Sequence, residues 1–492
     1  MIVSNKKSHS ASIVQRVAKQ IIATYLLQAT YFVSIALFMS FLLRTLTHED
    51  YGLFSLIYNL IPFISSLTLF EVFSFVSKKT IGIENKQTKN IFSTSLIVVM
   101  TLTIIAVVLI WAAQYLFNFV SPEKINTLLL GSIILILTNL AMLLNNSVYV
   151  NKNLILYHFL QFLLKTFWVY AAFGVFILFG EANVELLLTV WAVGVLCTLF
   201  VSILAADYSL FLPFKVKKNI IKQMLLFSSP LVIYVLGSGL IINADKIIIT
   251  YFLGLDALSY YALSYFILNM AVLLIGIPLN ISYAYIVEAY NKQNILLAER
   301  LANTYLKFAI ILSALIIFVL LFNGDAYISL IGGLKYLRSV DIITLIIPLL
   351  ILIVPTNLLI YNHIVQGNTK RIAVAHLTAA GASLASSYLL IPIFSYTGAV
   401  LATAISYSIL LFMLSKTNKI KLSIQFIHLL KIAILAAAAS VTLFYMNPQE
   451  LITKIVYGGL CAMFYFFLIL KLNILDHSEK EILSKLKVPI FF

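Results

Sequence analysis

A helix needs about 20 apolar residues to cross the roughly 30 Å hydrocarbon layer of a bilayer, because each residue advances it by about 1.5 Å. This chain of 492 residues holds fourteen stretches of that kind, read as spans at 20–43, 51–76, 91–113, 125–150, 155–179, 185–206, 224–244, 257–280, 301–322, 342–365, 372–391, 396–415, 425–445 and 452–471. With 62% hydrophobic and only 10% charged residues, the chain lacks the polar surface of a soluble domain. The fold class expected is all-α: a polytopic membrane protein with about 14 transmembrane helices.

The charges between the spans give its orientation. Of the 33 Lys and Arg residues, only Arg44, Lys124, Lys246, Lys335, Arg338 and Lys454 fall in odd-numbered gaps, and Lys165 lies inside a span. The rest crowd the two ends and the even-numbered gaps, in clusters such as Lys78, Lys79, Lys86 and Lys89, or Lys215, Lys217, Lys218 and Lys222. Positive charge stays on the cytoplasmic side, so both termini are expected there, and two basic termini on one side require an even number of spans. The net charge of +15 would suit nucleic acid, but these charges sit in short loops beside apolar spans, where they meet anionic lipid headgroups. Membrane lipids are the expected partners, and nucleic acid is not.

Several function classes drop out. Cys197 and Cys461 both lie in spans and make neither a disulfide pattern nor a metal spacing. The first span is too long for a cleavable signal peptide. No phosphate-cradling Gly-rich loop, His/Glu metal spacing or nucleotide-binding domain is present, so no cofactor, no ATP-driven transport by this chain alone and no enzymatic chemistry is expected.

A long basic gap from Asp207 to Gln223 splits the first twelve spans into six and six. Two echoes cross it. Leu46–Tyr58 and Leu253–Tyr265 share leucines at 46/253 and 56/263 and tyrosines at 58/265, with Phe54 facing Tyr261. Asn145-Asn-Ser-Val148 pairs with Tyr361-Asn-His-Ile364. Six is even, so both halves start from the cytoplasm and the repeat is parallel. The expected division is an N-terminal six-helix lobe at 1–213, a C-terminal six-helix lobe at 214–420, and an extra two-helix hairpin with a cytoplasmic tail at 421–492. Two such lobes would enclose a cavity opened to each side in turn, with Pro62, Gly237, Gly239, Pro278, Pro348 and Pro355 allowing close packing and bending.

With these features in hand, the chain resembles the polysaccharide-transport branch of the superfamily that also holds multidrug extruders and lipid II flippases. The matching residues are Leu46-Thr-His-Glu-Asp-Tyr-Gly-Leu-Phe-Ser55, the run Ser229-Pro230-Leu231 with Asp245-Lys246-Ile-Ile-Ile249 and Leu253-Gly254, and the turn Gln366-Gly-Asn-Thr-Lys370. The resemblance implies a flippase of the bacterial plasma (inner) membrane. It would turn undecaprenyl-pyrophosphate-linked oligosaccharide, the repeat unit of O-antigen, lipopolysaccharide or capsule, to the outer leaflet. A proton or Na+ as coupling ion, and contacts with polysaccharide polymerase and chain-length proteins, belong to the same expectation.

The candidate cavity residues follow from charge in apolar surroundings. Lys165 lies about ten residues, or about 15 Å, into the fifth span; a lysine near the bilayer centre costs about 2.5–3.5 kcal/mol on insertion scales and should face a wet cavity or a partner, unless its stem snorkels to the interface. It would give a pyrophosphate its counter-charge. Glu71, deep in the second span, could pair with Lys165, carry a proton or bind a coupling cation. Asp245 and Lys246, after Asn243, read first as a solvated cap at the outer end of the seventh span. Arg44, Lys335, Arg338, Lys307 and Lys431 read first as interfacial anchors that could also guide pyrophosphate at a portal. Asn145, Asn146, Asn357, Asn362, His363 and Gln366 mark the cytoplasmic ends of the fourth and tenth spans, where amides suit sugar hydroxyls and helix-end solvation equally. For the thirteenth and fourteenth spans, with Ala436–Ala439 and Phe464–Phe467, the resemblance to lipid II flippases implies a groove for a polyprenyl tail, and a plain stabilising hairpin fits equally. Two other functions compete. A cation-coupled drug extruder generally uses an embedded acid in its first span, and this one has none. A membrane polysaccharide polymerase needs a larger outer loop than any here.

Overall fold

The computed structural model describes residues 30, 34–70, 72–73, 75–76, 88–118, 120–151, 153–179, 183–207, 216–291, 293–422, 431–432, 435 and 451–471. Every regular element among them is helical. They are α1 (Ser34–Thr45), α2 (His48–Thr68), α3 (Thr88–Phe117), α4 (Ile125–Val150), α5 (Leu154–Phe179), α6 (Val184–Ala205), α7 (Lys218–Asn291), α8 (Ile295–Gly332), α9 (Ser339–Val365), α10 (Thr369–Phe394), α11 (Tyr396–Thr417) and α12 (Leu451–Lys471).

Among the described residues, ten helices are long and apolar enough to cross a membrane. One of them, Lys218–Gly276, runs for 59 residues, about 90 Å of helix and far more than one bilayer. It breaks at Gly254, whose φ of 86° and ψ of 173° no side-chain-bearing residue adopts cheaply. The seventh and eighth spans therefore meet in one kinked helix, not across a loop. Shorter apolar helices, Ser34–Thr45 and Val456–Ile469, stand in the first and last spans. Most of the thirteenth, 425–445, lies outside the described residues. The chain is thus an all-α, multi-pass membrane protein. It divides into two compact units, Met1–Val235 and Leu236–Phe492, the division falling within α7.

In unit 1, α4 and α5 both pack on α6. The α5–α6 approach is close because Gly194 presents no side chain: a Cβ there would lie 2.5 Å from the Cβ and 2.9 Å from the Cα of Trp168. Trp168 and Trp191 stack beside it at 4.9 Å, with Phe54 and Tyr58 of α2 around them. Asn139, fully buried in α4, ties three helices: it accepts from Ser65 at 2.5 Å and donates to Thr68 and Thr103, each at 2.8 Å. Such bonds contribute about 0.6–2 kcal/mol each inside a membrane protein. The second span does not continue as one helix to residue 76, as its apolar run predicts. α2 stops at Thr68, and Phe70 takes a left-handed φ of 50°, a strained state for a bulky residue.

In unit 2, α10 and α11 form the most extensive helix pair. Gly237 lets α7 approach α10, since a Cβ would come within 2.8 Å of the His376 carbonyl carbon. Pro355 lies inside α9, and Pro348 opens the single tight turn, Ile347–Leu349, that bends it. α12 buries Tyr465 and Ile469 against Phe308, Ile311 and Phe318 of α8, and Lys454 pairs with Asp325 at 2.5 Å.

Some of the echoed residues share local features. Phe54 and Tyr58 stack one turn apart at 5.5 Å and 30°, and Tyr261 and Tyr265, also one turn apart, meet tilted at 6.0 Å and 32°. Leu56 and Leu263 are both buried. Asn146 and Asn362 are both buried, each with side-chain atoms that find no hydrogen-bond partner among the described residues.

Candidate functional site

Lys165 is the twelfth residue of the 26-residue α5, so it sits at mid-helix. It is exposed, while Leu164, Thr166 and Trp168 beside it are buried. Helical spacing puts it in line with His158, Gln161, Val169 and Ala172. The strongly exposed apolar residues of α5, among them Phe159, Phe167, Tyr170 and Leu178, occupy the opposite side. A lysine on the lipid-facing side would share that apolar stripe; this one does not.

One turn before Lys165, Gln161 enters a half-open cavity of about 210 Å³ inside unit 1. The wall is built from three helix ends. The turn after α2 supplies Leu69, Val72 and Phe73, with Ser66 from its last turn; α4 supplies Met142, Leu143 and Asn146; α5 supplies Tyr157 and Gln161. The left-handed Phe70 redirects the chain at this wall. Phe73, Tyr149 and Tyr157 form an aromatic triangle with centroid distances of 4.8, 5.1 and 6.0 Å. Asn146 is 3% exposed, and its Oδ1 has no hydrogen-bond partner among the described residues. The adjacent Asn145 is fully buried with both amide atoms in the same condition. Both asparagines are therefore buried inside unit 1 and do not stand at an exposed helix end. Glu71 lies outside the described residues.

Unit 2 carries a different arrangement. Asp245 and Lys246 are 1% and 2% exposed, so they are not a solvated cap. They lie well before the Gly254 break, inside continuous helix. The Lys246 ammonium donates to the Ile242 carbonyl, stands 3.7 Å from Asp245 Oδ1, and lies 3.5 Å from the Tyr265 ring centroid. The Tyr261 hydroxyl donates to Asp245 Oδ2. A buried ion pair survives only when its remaining valences are satisfied, and here a carbonyl, a phenol and a ring face supply them. Sequence reasoning paired neither tyrosine with these charges; the echo with Phe54 and Tyr58 was the available signal.

The other candidates scatter. Arg44 is exposed at the end of α1. Lys307 is 7% exposed within α8, which removes its reading as an interfacial anchor. His363 is fully buried, its Nε2 at 2.9 Å from the Leu414 carbonyl. A carbonyl only accepts, so Nε2 carries the proton, and the residue links α9 to α11 instead of facing an open space. Lys335 and Arg338 are exposed between α8 and α9, with Lys335 at 5.4 Å from the Tyr336 ring and Arg338 at 5.9 Å from that of Tyr260. Partial burial lowers the Lys335 pKa from its ordinary value. The pocket residues Ser66, Phe73, Tyr157 and Gln161 were missed, because a Tyr or Gln in an apolar run carries no periodic signal of its own.

The solved structures most informative for the fold are membrane transporters. A lipid II flippase MurJ in an inward closed conformation superposes with a TM-score of 0.74 at 13% identity, covering 92% of this chain and 99% of that one. A multidrug resistance MATE family transporter of the MOP superfamily, inward-facing, gives 0.61 at 13% identity, covering 86% and 96%. A MOP superfamily transporter from Pyrococcus furiosus gives 0.50 at 14%, covering 81% and 93%. No curated protein matches the sequence. The sequence pattern of the family described as polysaccharide biosynthesis protein matches residues 41–341. That match covers more than half of the chain, and with a transporter fold around it, the chain belongs to the polysaccharide biosynthesis protein family.

Proposed function

We propose that this protein is a flippase that moves undecaprenyl-pyrophosphate-linked oligosaccharide, of the O-antigen, lipopolysaccharide or capsule type, across the bacterial plasma membrane by alternating access, with both termini cytoplasmic. The observation that carries this reading is Lys165: an exposed lysine at mid-helix, on the side of α5 opposite its exposed apolar stripe. A pyrophosphate crossing hydrocarbon needs a counter-charge, and an ammonium is a suitable point charge for phosphate. Membership in a polysaccharide family supports the glycan, and the likeness to a lipid II flippase supports a lipid-linked substrate. The reading makes the chain a transporter, not an enzyme; a proton or Na+ would be its coupling ion, and polymerase and chain-length proteins its neighbours.

A drug extruder of the same superfamily is less well supported. It would need an embedded acid available to a cation, and the acid buried in unit 2, Asp245, is already held by Lys246 and Tyr261. The test uses purified protein in vesicles loaded with a pyrophosphate-linked oligosaccharide. Translocation should be accelerated, and Lys165→Met should slow it about tenfold to a hundredfold, the scale of one lost charge-assisted contact, while Lys165→Arg retains most of it. No acceleration for lipid-linked glycans, with export of small cations instead, would overturn the reading.

A further inference from the structure

The cavity in unit 1 has a composition that a counter-charge site does not need. Four of its lining side chains are polar and uncharged, Ser66, Asn146, Tyr157 and Gln161, and two are aromatic rings, Phe73 and Tyr157. Asn146 lines the space while more than nine-tenths buried, and its Oδ1, itself buried, lacks a hydrogen-bond partner among the described residues. A buried, unsatisfied amide oxygen costs about 1–3 kcal/mol, so an amide kept in that state beside a cavity points to a ligand whose hydroxyls pair with the amide. A sugar ring matches both kinds of wall. Its hydroxyls donate to and accept from amides and hydroxyls, and its C–H face packs on an aromatic ring. An acyl chain would leave the amides unsatisfied; a phosphate would find no cation among the lining residues. At about 210 Å³ the space is below the usual size of a ligand pocket, which suits one ring of a glycan and not a whole repeat unit.

The position fits as well. The pocket sits where α2 and α4 end and α5 begins, the cytoplasmic half in the orientation given by the basic gaps. It lies one helical turn from Lys165.

We infer that this pocket is a monosaccharide subsite, seating one sugar ring of the headgroup against Tyr157 and Phe73 with Asn146 and Gln161 reading its hydroxyls. The inference rests on the flippase reading for its substrate but is testable without transport. The full chain, purified in a sugar-free detergent such as an amine oxide, is mixed with free glucose, galactose, mannose and N-acetylglucosamine, and saturation transfer from protein to sugar is read by NMR. At least one sugar should receive saturation on its ring C–H protons. Tyr157→Ala should weaken that binding roughly tenfold, the scale of one lost aromatic contact, Tyr157→Phe should preserve it, and Asn146→Leu should weaken it similarly. Gln161→Ala serves if Asn146→Leu fails to fold, as judged by size exclusion. No transfer to any of the sugars, or transfer unchanged in Tyr157→Ala, overturns the subsite. The two readings fail separately: translocation in vesicles without sugar binding overturns the subsite alone, and sugar binding without translocation overturns the flippase alone.

Discussion

Asp245 and Lys246 are adjacent in sequence, and both are almost wholly removed from the surface. Each makes the other tolerable: the carboxylate has an ammonium and a phenol, the ammonium a carbonyl and the Tyr265 ring. The physics of such pairs is asymmetric. Removing one member strands the other, at about 3–5 kcal/mol, whereas replacing both with apolar groups of similar shape is close to neutral. Lys246→Met should therefore destabilise the protein in detergent by that amount in a thermal or chemical denaturation series. The double change Lys246→Met with Asp245→Leu should recover most of the loss. Equal destabilisation by the single and double variants would show that the two residues do not act as a pair.

At the level of elements, close helix approach depends on a few small residues, and the sequence does not mark which. Gly194 on α6 and Gly174 on α5 look alike in an apolar run. A Cβ on Gly194 would meet Trp168 at 2.5 Å, while one on Gly174 would meet nothing within 4 Å. Gly194→Val should thus cost about 1–3 kcal/mol by overpacking. Gly174→Ala should be neutral or slightly stabilising through helix propensity. Both are checked by midpoint shifts in the same denaturation assay. The unwound turn after α2 is equally silent in sequence. No Gly or Pro announces the left-handed Phe70, and without that turn Phe73 would not reach the pocket wall it shares with Tyr157.

For the molecule as a whole, the burial of Lys246 sharpens the charge argument. It had counted among the six basic residues of the odd-numbered gaps, and it is not a loop charge at all. The expected orientation makes a direct prediction. In a chain with Cys197 and Cys461 replaced, Lys335→Cys should be labelled by a membrane-impermeant maleimide in intact cells. Lys370→Cys should be labelled only after the membrane is opened. The reverse pattern would invert the topology and place the sugar pocket on the outer side.

What the sequence determined by itself is what one-dimensional patterns encode. Apolar run length gave the spans, because the bilayer sets a fixed thickness, and loop charge gave the expected sidedness. The faint echo between Leu46–Tyr58 and Leu253–Tyr265 pointed to a repeat, and in each segment two rings, Phe54/Tyr58 and Tyr261/Tyr265, sit one helical turn apart and in contact. The sequence also singled out Lys165, since a charge in an apolar run is conspicuous wherever it points. Only the tertiary structure decided where it points, and which polar residues share a wall with which. Asn139, Asn145 and Asn146 lie within eight residues on one helix, yet Asn139 is a saturated three-helix hub while Asn146 lines a cavity and its Oδ1 has no partner among the described residues. The reason is physical. Within a span every helix satisfies its own backbone, so the fate of a polar side chain is set by the neighbouring helices it meets, and that is a property of packing that no local pattern records.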